Sequence, residues 1–437
     1  MKQNIAVISE HASPLAEPGG TDSGGQNIYV AQVARHLAQR GYRLDIFTRR
    51  DNPHLPAVIQ WLPDVRVIHI DAGPPGPVRK EELLPLMDDF TSNILRFCTS
   101  RRVPYDLIHA HFWMSGLVAA RIKQTLGTPF VITFHALGKV RRLHQGAADQ
   151  FPTIREQLEQ QVMHEANTII AECPQDYADL VNLYHVDRDR IRIIPCGFDQ
   201  NEFEPLPQEM AREMIGLDQD EWTVLQLGRM VPRKGIDTVV QGFARFVAAR
   251  GARARLLMVG GDSEHPDPQR TPEIGRLQEL AQAEGIAEQV TFTGKRGRDV
   301  LKYYYNAADV FVTLPWYEPF GITPLEAMAC ATPVIGARVG GIQYTVRHGE
   351  TGYLIPPRNP AALASYLLRL YDEPATLQRL GQQALLRVRH DFTWQHVAAA
   401  IADLYESIIN SSTIRIPNGN HTVRYPFSHG QPLVSAE

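Results

Sequence analysis

Residues 316–330 read WYEPFGITPLEAMAC, and this stretch decides the fold of the second half of the chain. It follows residues 310–313, a short apolar run of the kind that forms a buried strand. Pro319 disfavours helix at the preceding Glu318. An amphipathic helix pattern starts directly afterwards and carries Glu326. The stretch therefore predicts a strand, a loop and a helix, with one carboxylate before the helix and one on its body.

The same alternation of short strands and helices extends through most of the chain. Because short apolar strands separated by helices form parallel sheets covered on both faces, we predict an α/β fold. The helices are predicted at Val30–Ala38 and near 237–249, 273–284, 298–306 and 321–330. The strands are predicted at Ile5–Ser9, Leu44–Thr48, Val65–Ile70, Leu107–Ala110, Phe130–Phe134, Thr168–Ala171, Ile191–Ile194, Thr223–Leu227, Arg255–Val259, Val290–Thr293, Val310–Thr313 and Pro333–Ile335.

The two runs of strands predict two domains. The boundary is predicted in the stretch around residues 195–207, which separates the two runs and contains three prolines. We predict domains at 1–197 and 198–392, then a helix at 393–410 and a flexible tail at 411–437. Open α/β sheets bind ligands beyond the carboxyl ends of their strands. Two such edges facing each other would form a deep cleft suited to a two-substrate transfer reaction.

Composition excludes several classes of protein. The chain has 437 residues, and 44 Lys and Arg against 48 Asp and Glu give a net charge of −4, so no global basic field points to nucleic acid. No apolar run approaches the 18 residues of a membrane-spanning helix. The N-terminus is predicted as a strand and not as a signal peptide. The four cysteines lack a CxxC spacing, so we expect reduced thiols, no metal site and a cytoplasmic location. Nothing in the sequence indicates the oligomeric state.

Residues 18–27, PGGTDSGGQN, join the first strand to the helix pattern at Val30–Ala38. Two glycine pairs let the backbone approach a ligand, and the start of a helix offers free N–H groups to an anion. The alternative is a flexible loop with turn glycines. The spacing differs from G-x-G-x-x-G, and the next strand does not end in an acidic residue. Both points disfavour a nicotinamide dinucleotide.

Residues 227–235, LGRMVPRKG, place Arg229 and Lys234 at the carboxyl end of the first strand of the second run. A guanidinium offers a fork of donors and an ammonium a point charge, and together they suit a diphosphate. The alternative, an ordinary solvated basic turn, explains the sequence equally well.

Glu318 and Glu326 are acceptor-only groups at one predicted cleft edge, suited to the hydroxyls of a sugar or ribose. The backbone N–H groups of Phe320, Gly321 and Ile322 lie at the predicted helix start, where they favour an anion or a sugar oxygen. The alternative for Glu326 is a capping or solvent-exposed helix carboxylate.

In combination, these motifs resemble the signature of the retaining GT-B glycosyltransferases of family 4. The resemblance rests on the two glutamates with seven residues between them, on residues 228–235, on the glycines of residues 340–342, and on Gly349 and Gly352. It covers residues 1–405. Residues 22–30 (DSGGQNIYV), 46–49 (IFTR) and 109–113 (HAHFW) are similar to one branch of that family. That branch contains sucrose synthase, sucrose-phosphate synthase and D-inositol-3-phosphate glycosyltransferase.

The resemblance implies a GT-B fold of two Rossmann-like domains, with C-terminal helices crossing back to the first. It also implies a hexosyltransferase whose co-substrate is a nucleotide diphosphate sugar such as UDP-glucose, with no other cofactor and no metal. Arg229 and Lys234 would hold the diphosphate, and Glu326 the ribose. Glu318, with the N–H groups of Phe320, Gly321 and Ile322, would position the sugar, while Gly24 and Gly25 would bring backbone to the phosphates.

The resemblance further assigns a catalytic histidine and an acceptor site. His135 matches a histidine near the C6 hydroxyl of the donor sugar, where we expect it to orient and not to remove a proton. The expected acceptor is a small sugar or polyol, with phosphorylation slightly favoured. Phe112 and Ala136 stand where the inositol phosphate enzymes carry hydroxyl groups, and a merely solvated cationic face is the alternative. The predicted acceptor-binding residues are Asn27, Lys80, Lys139, Arg141 and Arg155.

No second carboxylate is paired as a nucleophile on the opposite face of the sugar. The resemblance therefore implies same-face substitution, in which the catalytic groups His135, Arg229, Lys234 and Glu318 act mainly through orientation and charge. Two alternatives remain at this point: a catalytically silent protein that binds sugar nucleotides, and a nucleotide-sugar epimerase.

Overall fold

The computed structural model describes residues 2–16, 24–100 and 104–413. Two α/β units each have a sheet with helices on both faces, as predicted. Strands and helices in the described part are numbered in chain order. The strands are β1 Asn4–Ile8, β2 Arg43–Arg49, β3 Val58–Leu62, β4 Val65–Ile70, β5 Leu107–His111, β6 Phe130–Thr133, β7 Thr168–Ala171, β8 Ile191–Ile193, β9 Trp222–Leu227, β10 Ala254–Val259, β11 Val290–Gly294, β12 Val310–Thr313, β13 Val334–Ala337 and β14 Gly352–Ile355. The helices are α1 Gly25–Gln39, α2 Met87–Thr99, α3 Trp113–Leu126, α4 Gly138–Gln145, α5 Arg155–Glu165, α6 Pro174–Tyr184, α7 Gln208–Ile215, α8 Ile236–Arg250, α9 Pro272–Ala283, α10 Arg298–Ala307, α11 Ile322–Ala329, α12 Ile342–Thr345, α13 Pro360–Asp372, α14 Pro374–Asp391 and α15 Trp394–Thr413.

The first sheet has the strand order β3-β4-β2-β1-β5-β6-β7-β8. All neighbours pair in parallel except β3 with β4. The central strands are buried on both faces, which explains their nearly continuous apolar composition. The sequence reasoning missed β3, because Gln60 interrupts its apolar run and this antiparallel edge strand is only partly buried.

The second sheet has the order β11-β10-β9-β12-β13-β14, and every neighbouring pair is parallel. The predicted strands of this half are present, with ends that differ by one or two residues. The sequence reasoning also missed β14, a four-residue strand that begins at a glycine. The carboxyl ends of β9 and β12 carry the two loops that contain the predicted diphosphate and sugar residues.

The chain crosses between the two units twice, at Phe198 and near Thr393. The Phe198 N–H donates to the Phe392 carbonyl at 2.9 Å, and Phe198 also bridges to Thr393. A Cβ on Gly197 would lie 2.8 Å from the Trp394 backbone nitrogen, so this crossing requires a glycine. After it, α15 packs against α1 of the first unit.

Two predicted segments lie wholly or partly outside the described residues. Residues 17–23 contain most of the first glycine-rich loop, and residues 414–437 contain nearly all of the predicted tail. The domain limits at 197 and 392 remain predictions. Among the helices of the described ranges, none combines the length and the apolar character needed to cross a membrane.

Candidate active site

A cleft of about 390 Å³ lies between the carboxyl ends of the two sheets. Residues of both units line it, including the start of α1 and the loops after β6, β9 and β12. The lining includes every residue predicted to be catalytic or donor-binding: Gly24, Gly25, His135, Arg229, Lys234, Glu318, Phe320, Gly321, Ile322 and Glu326. It also includes three of the predicted acceptor residues, Asn27, Lys80 and Arg141.

Lys234 and Glu318 pair with each other in the middle of the cleft. Their side chains are only 18% and 14% exposed. Burial lowers the pKa of Lys234 to about 8, although the Glu318 charge opposes that shift. Burial alone would raise the pKa of Glu318, but the charges of Lys234, Arg233 and Arg229 more than compensate, and it lies below its usual value. Both groups are therefore charged at neutral pH.

Two glycines allow the loop that carries Glu318 to pack tightly. Gly340 has φ +43°, and a Cβ there would lie 1.7 Å from the Glu318 carbonyl oxygen. A Cβ on Gly341 would lie 2.3 Å from the Phe320 carbonyl oxygen. The Gly341 N–H donates to the carbonyls of Glu318 at 3.3 Å and Pro319 at 3.2 Å. The glycines noted in the sequence at 340–342 thus fix the position of Glu318.

Glu326 lies on α11 and is 2% exposed. Its Oε1 accepts from Arg298 Nη1 at 2.8 Å, and its Oε2 accepts from the Tyr305 hydroxyl at 2.8 Å. Arg298 Nε also donates to Glu202 at 2.5 Å. This network holds Glu326 at the cleft wall with both carboxylate oxygens oriented. It also connects this part of the cleft wall to Glu202, in the segment where the chain first crosses between the units.

His135 follows β6 in a left-handed backbone conformation, with φ +57°. Its Nδ1 lies 3.1 Å from Glu172 Oε1, and its Nε2 lies 3.0 Å from His111 Nδ1. The His111 and His135 rings stack with centroids 5.3 Å apart at 17°. Burial, reinforced by the neighbouring histidines, places the pKa of His111 well below its usual value, so that ring is neutral.

Two predicted acceptor residues lie outside the cleft lining, which differs from the sequence expectation. Lys139 Nζ donates to the Leu183 carbonyl at 2.7 Å and lies 4.7 Å from the centre of the Tyr184 ring. Arg155 is 1% exposed and pairs with Glu159 at 2.7 Å. Its guanidinium lies 5.0 Å from the Phe112 ring centre. Both side chains make contacts within the first unit, and neither lines the cleft.

Arg155 nevertheless reaches the cleft wall indirectly. Its Nη2 donates to the Ala136 carbonyl at 2.5 Å, and its guanidinium lies 4.5 Å from the Phe151 ring centre. Phe112, Ala136 and Phe151 all line the cleft. Arg155 therefore supports three residues of the wall from behind, two through their rings and Ala136 through its backbone carbonyl.

The start of α1 faces the second unit across the cleft. A Cβ on Gly25 would lie 3.7 Å from the Ile322 side chain. Asn27 is buried, and its side chain accepts from the Gly24 N–H at 2.9 Å and donates to the Ser13 carbonyl at 2.9 Å. Asn27 thus shapes the glycine turn, a role that the sequence reasoning did not assign to it.

The sequence reasoning missed several residues that complete the site. Glu172 carries a usable signal, because it directly follows a predicted strand at the carboxyl edge of the sheet. Arg298 and Tyr305 carry none, since they lie on a helix whose face toward Glu326 emerges only in the folded chain. Further cations of the second unit that line the cleft are Arg233, Lys295, Arg296 and Arg298. Together with Arg229 and Lys234, they create a wall suited to a polyanion.

Comparisons with known proteins identify relatives of both halves of the chain. A model described as glycosyl transferases group 1 matches residues 207–387, and one described as Glycosyltransferase Family 4 matches residues 23–202. The chain is 36% identical over 415 residues to D-inositol 3-phosphate glycosyltransferase 2 of Catenulispora acidiphila, covering 94% of this chain and 96% of that protein. It is 37% identical over 414 residues to D-inositol 3-phosphate glycosyltransferase of Nocardia farcinica, covering 93% and 89%.

Two solved structures are similar to this chain over more than nine-tenths of its length. Sucrose-phosphate synthase of Thermosynechococcus elongatus superposes with a TM-score of 0.86 at 36% identity, covering 94% of this chain and 100% of that one. Anabaena HepE in complex with UDP and glucose superposes with a TM-score of 0.71 at 19% identity, covering 92% and 99%. The second likeness shows the fold alone.

Proposed function

The chain belongs to the group 1, family 4 glycosyltransferases, which have the GT-B fold, and from this premise we propose that it transfers a hexose from a UDP-linked donor to a small phosphorylated sugar or polyol, with retention of anomeric configuration. The observation that carries the proposal is the position of the Lys234–Glu318 pair. It places an ammonium for a diphosphate beside a carboxylate for sugar hydroxyls, in one cleft between the two units.

The donor assignment follows the order of groups along the second unit. Arg229 and Lys234 form the cationic part of the wall, where the diphosphate would bind. Glu326 has both carboxylate oxygens oriented by neighbours, and its remaining lone pairs suit the two hydroxyls of a ribose. Glu318 and the N–H groups at the start of α11 would contact the hexose.

The proposed mechanism is same-face substitution. Lys234, Arg229 and the amides at the start of α11 stabilise negative charge on the departing diphosphate. An oxygen of that diphosphate accepts the proton of the incoming hydroxyl. Both ring nitrogens of His135 already face protein partners, so this side chain does not serve as the base. Its proposed role is to shape the sugar site through the position and polarity of its ring. No carboxylate has been assigned as a nucleophile on the opposite face, so no glycosyl-enzyme intermediate is invoked.

The acceptor is proposed from the cations of the first unit. Lys80 and Arg141 line the cleft on the side opposite the diphosphate wall. Arg141 is held by Asp149 at 2.9 Å and lies 4.9 Å from the Phe151 ring centre. Two cations beside an aromatic wall suit a phosphorylated ring. Relatives named for inositol phosphate and for sucrose phosphate support a phosphorylated acceptor without deciding between the two.

A two-stage assay tests the proposal. UDP-, ADP- and GDP-hexoses are first screened by thermal shift, where a ligand at 100 times its Kd adds about 2.7 kcal/mol of stability. Nucleotide release is then measured with inositol, inositol phosphates, hexoses and hexose phosphates. We expect UDP release that requires a phosphorylated acceptor, and an α-linked product from an α-linked donor by NMR coupling constants. A β-linked product, or epimerised donor without transfer, would contradict the proposal.

Matched variants separate the acceptor site from its surroundings. Lys80→Ala and Arg141→Ala should raise KM for a phosphorylated acceptor at least tenfold and leave KM for the donor within twofold. Lys139→Ala provides the control, because it removes a nearby cation that does not line the cleft. An equal effect of all three substitutions would argue against direct phosphate contacts.

A further inference from the structure

Three neighbouring strands of the first sheet each contribute one polar side chain at their carboxyl ends. His111 ends β5, His135 lies two residues beyond β6, and Glu172 directly follows β7. The strands are adjacent in the order β5-β6-β7, so the three side chains form a row. Contacts of 3.0 Å and 3.1 Å join the row from His111 through His135 to Glu172.

The chemistry of the row fixes where its protons lie. A carboxylate oxygen accepts hydrogen bonds, so His135 Nδ1–H is the donor of the 3.1 Å contact to Glu172 Oε1. His111 is buried and neutral, and its Nδ1 faces His135 Nε2. For a neutral His135 ring, the arrangement that uses both contacts has His111 Nδ1–H donating to His135 Nε2. His111 Nε2 is then a bare nitrogen, consistent with its lack of a partner among the described residues.

Glu172 is itself held firmly. It is 3% exposed, its Oε1 also accepts from the Cys196 thiol at 3.2 Å, and its backbone N–H donates to Asp176 Oδ2 at 3.0 Å. The His135 ring meets the Tyr29 ring edge-on, with centroids 5.0 Å apart. Ring packing thus confines His135 on one side, while the carboxylate of Glu172 sets its rotation.

We propose that Glu172 is a positioning residue of the transfer reaction: it fixes the tautomer and the ring orientation of His135. The proposal rests on the assignment of His135 to the donor sugar under the proposed function. Glu172 acts through His135 and not on the substrate. Removing the carboxylate leaves the Nδ1–H without an acceptor, and the ring gains both a second tautomer and rotational freedom.

A double-mutant cycle on UDP release from UDP-glucose, with the best acceptor of the panel, tests the proposal. Glu172→Ala should lower kcat about 10- to 100-fold, because misplacing a positioned group by about 1 Å can cost up to 10²-fold in rate, with KM for the donor within twofold. In a His135→Ala background, the same substitution should change kcat by less than twofold. Glu172→Gln keeps an amide oxygen as acceptor and should retain kcat within about fivefold of the unmodified enzyme. Glu209→Ala, an exposed carboxylate on α7, controls for nonspecific effects.

Nitrogen-15 NMR of the histidines reads the tautomer directly. The chain has 16 histidines, and the His135 signals are assigned by their absence in His135→Ala. We expect a protonated Nδ1 in the unmodified protein and a mixture of tautomers in Glu172→Ala. An unchanged His135 spectrum, a Gln variant as impaired as the Ala variant, or equal losses from Glu172→Ala in both backgrounds would overturn the proposal.

The outcomes that overturn the role of Glu172 differ from those that overturn the proposed function. If His135→Ala alone retained normal kcat, the role of His135 would be wrong. If His135→Ala is impaired but the two losses are independent, only the Glu172 assignment fails.

Discussion

The ammonium of Lys234 and the carboxylate of Glu318 form an ion pair across 84 residues of sequence. Lys234 lies in the turn after β9 and Glu318 in the loop after β12, two strands that are neighbours in the second sheet. Gly235, next to Lys234, has φ +64°, and a Cβ there would lie 2.0 Å from the Leu314 carbonyl. The pair therefore depends on two loops packed so closely that only glycine fits between them.

Lys234→Ala should lower kcat by a factor of 10² to 10³, since removing one donor to a developing anion typically costs about 3 kcal/mol. The substitution also leaves the Glu318 charge without its closest partner. Lys234→Ala/Glu318→Ala should therefore recover part of the lost thermal stability while remaining inactive. Steady-state kinetics and thermal unfolding of both variants check this, and near-normal kcat in Lys234→Ala would refute the assigned role.

UDP affinity should depend on pH through Lys234, whose pKa lies at about 8 in the donor-free protein. A bound diphosphate keeps the ammonium charged, so binding above that pH requires proton uptake. The Kd of UDP should rise up to tenfold per pH unit above about 8, as measured by calorimetry from pH 6.5 to 9. Lys234→Arg stays charged and should remove this pH dependence of the Kd. A dependence that persisted in Lys234→Arg would come from titration of the nucleotide base of UDP and not from Lys234.

The free energy of unfolding should rise over the same pH range in which the affinity for UDP falls. The unfolded chain binds the Lys234 proton with a pKa near 10.5, above the value in the folded protein. Since the unfolded state then binds more protons between about pH 8 and 10.5, this group makes the free energy of unfolding rise with pH. Urea titrations of the unmodified protein and Lys234→Arg at pH 7.5 and 9 measure the difference. The absence of a difference would show that the pKa of Lys234 is not lowered.

Arg298→Ala should destabilise the protein by about 2–4 kcal/mol, because it leaves the buried carboxylate of Glu326 with only the Tyr305 hydroxyl. KM for the donor should rise as Glu326 reorients. Arg250→Ala is a matched control, since Arg250 pairs with Asp372 at the surface and its loss should cost less than about 1 kcal/mol. Urea unfolding measures both, and equal costs would contradict a structural role of Arg298 in holding Glu326.

The sequence predicted the elements and site residues that can be recognised from the pattern of neighbouring residues. Strand and helix periodicity predicted both sheets except β3, a partly buried edge strand, and β14, a four-residue strand. The motifs at 227–235 and 316–330 led to Lys234, Glu318 and Glu326, because each follows or precedes a recognisable strand end. Partners contributed by distant segments were not predictable. Arg298 and Tyr305 become part of the site only through packing, whereas Glu172 follows a predicted strand end and was overlooked. Arg155 is buried because Glu159 lies one helical turn away and pairs with it.

Comparing Gly340→Ala with Gly349→Ala distinguishes the effect of backbone strain from the effect of displacing Glu318. Both glycines have positive φ, +43° and +78°, so alanine at either position should cost about 1–2 kcal/mol through backbone strain. A Cβ on Gly349 meets nothing within 4 Å, whereas a Cβ on Gly340 would overlap the Glu318 carbonyl. The Gly340 variant must therefore displace the loop of Glu318, and misplacement by about 1 Å can cost 10²-fold in rate. We expect Gly349→Ala to keep kcat within twofold while Gly340→Ala loses about 10²-fold, with thermal unfolding measured for both. If the two variants retained the same kcat, the glycine turn would not control the position of Glu318, and the packing of these two loops would serve stability alone.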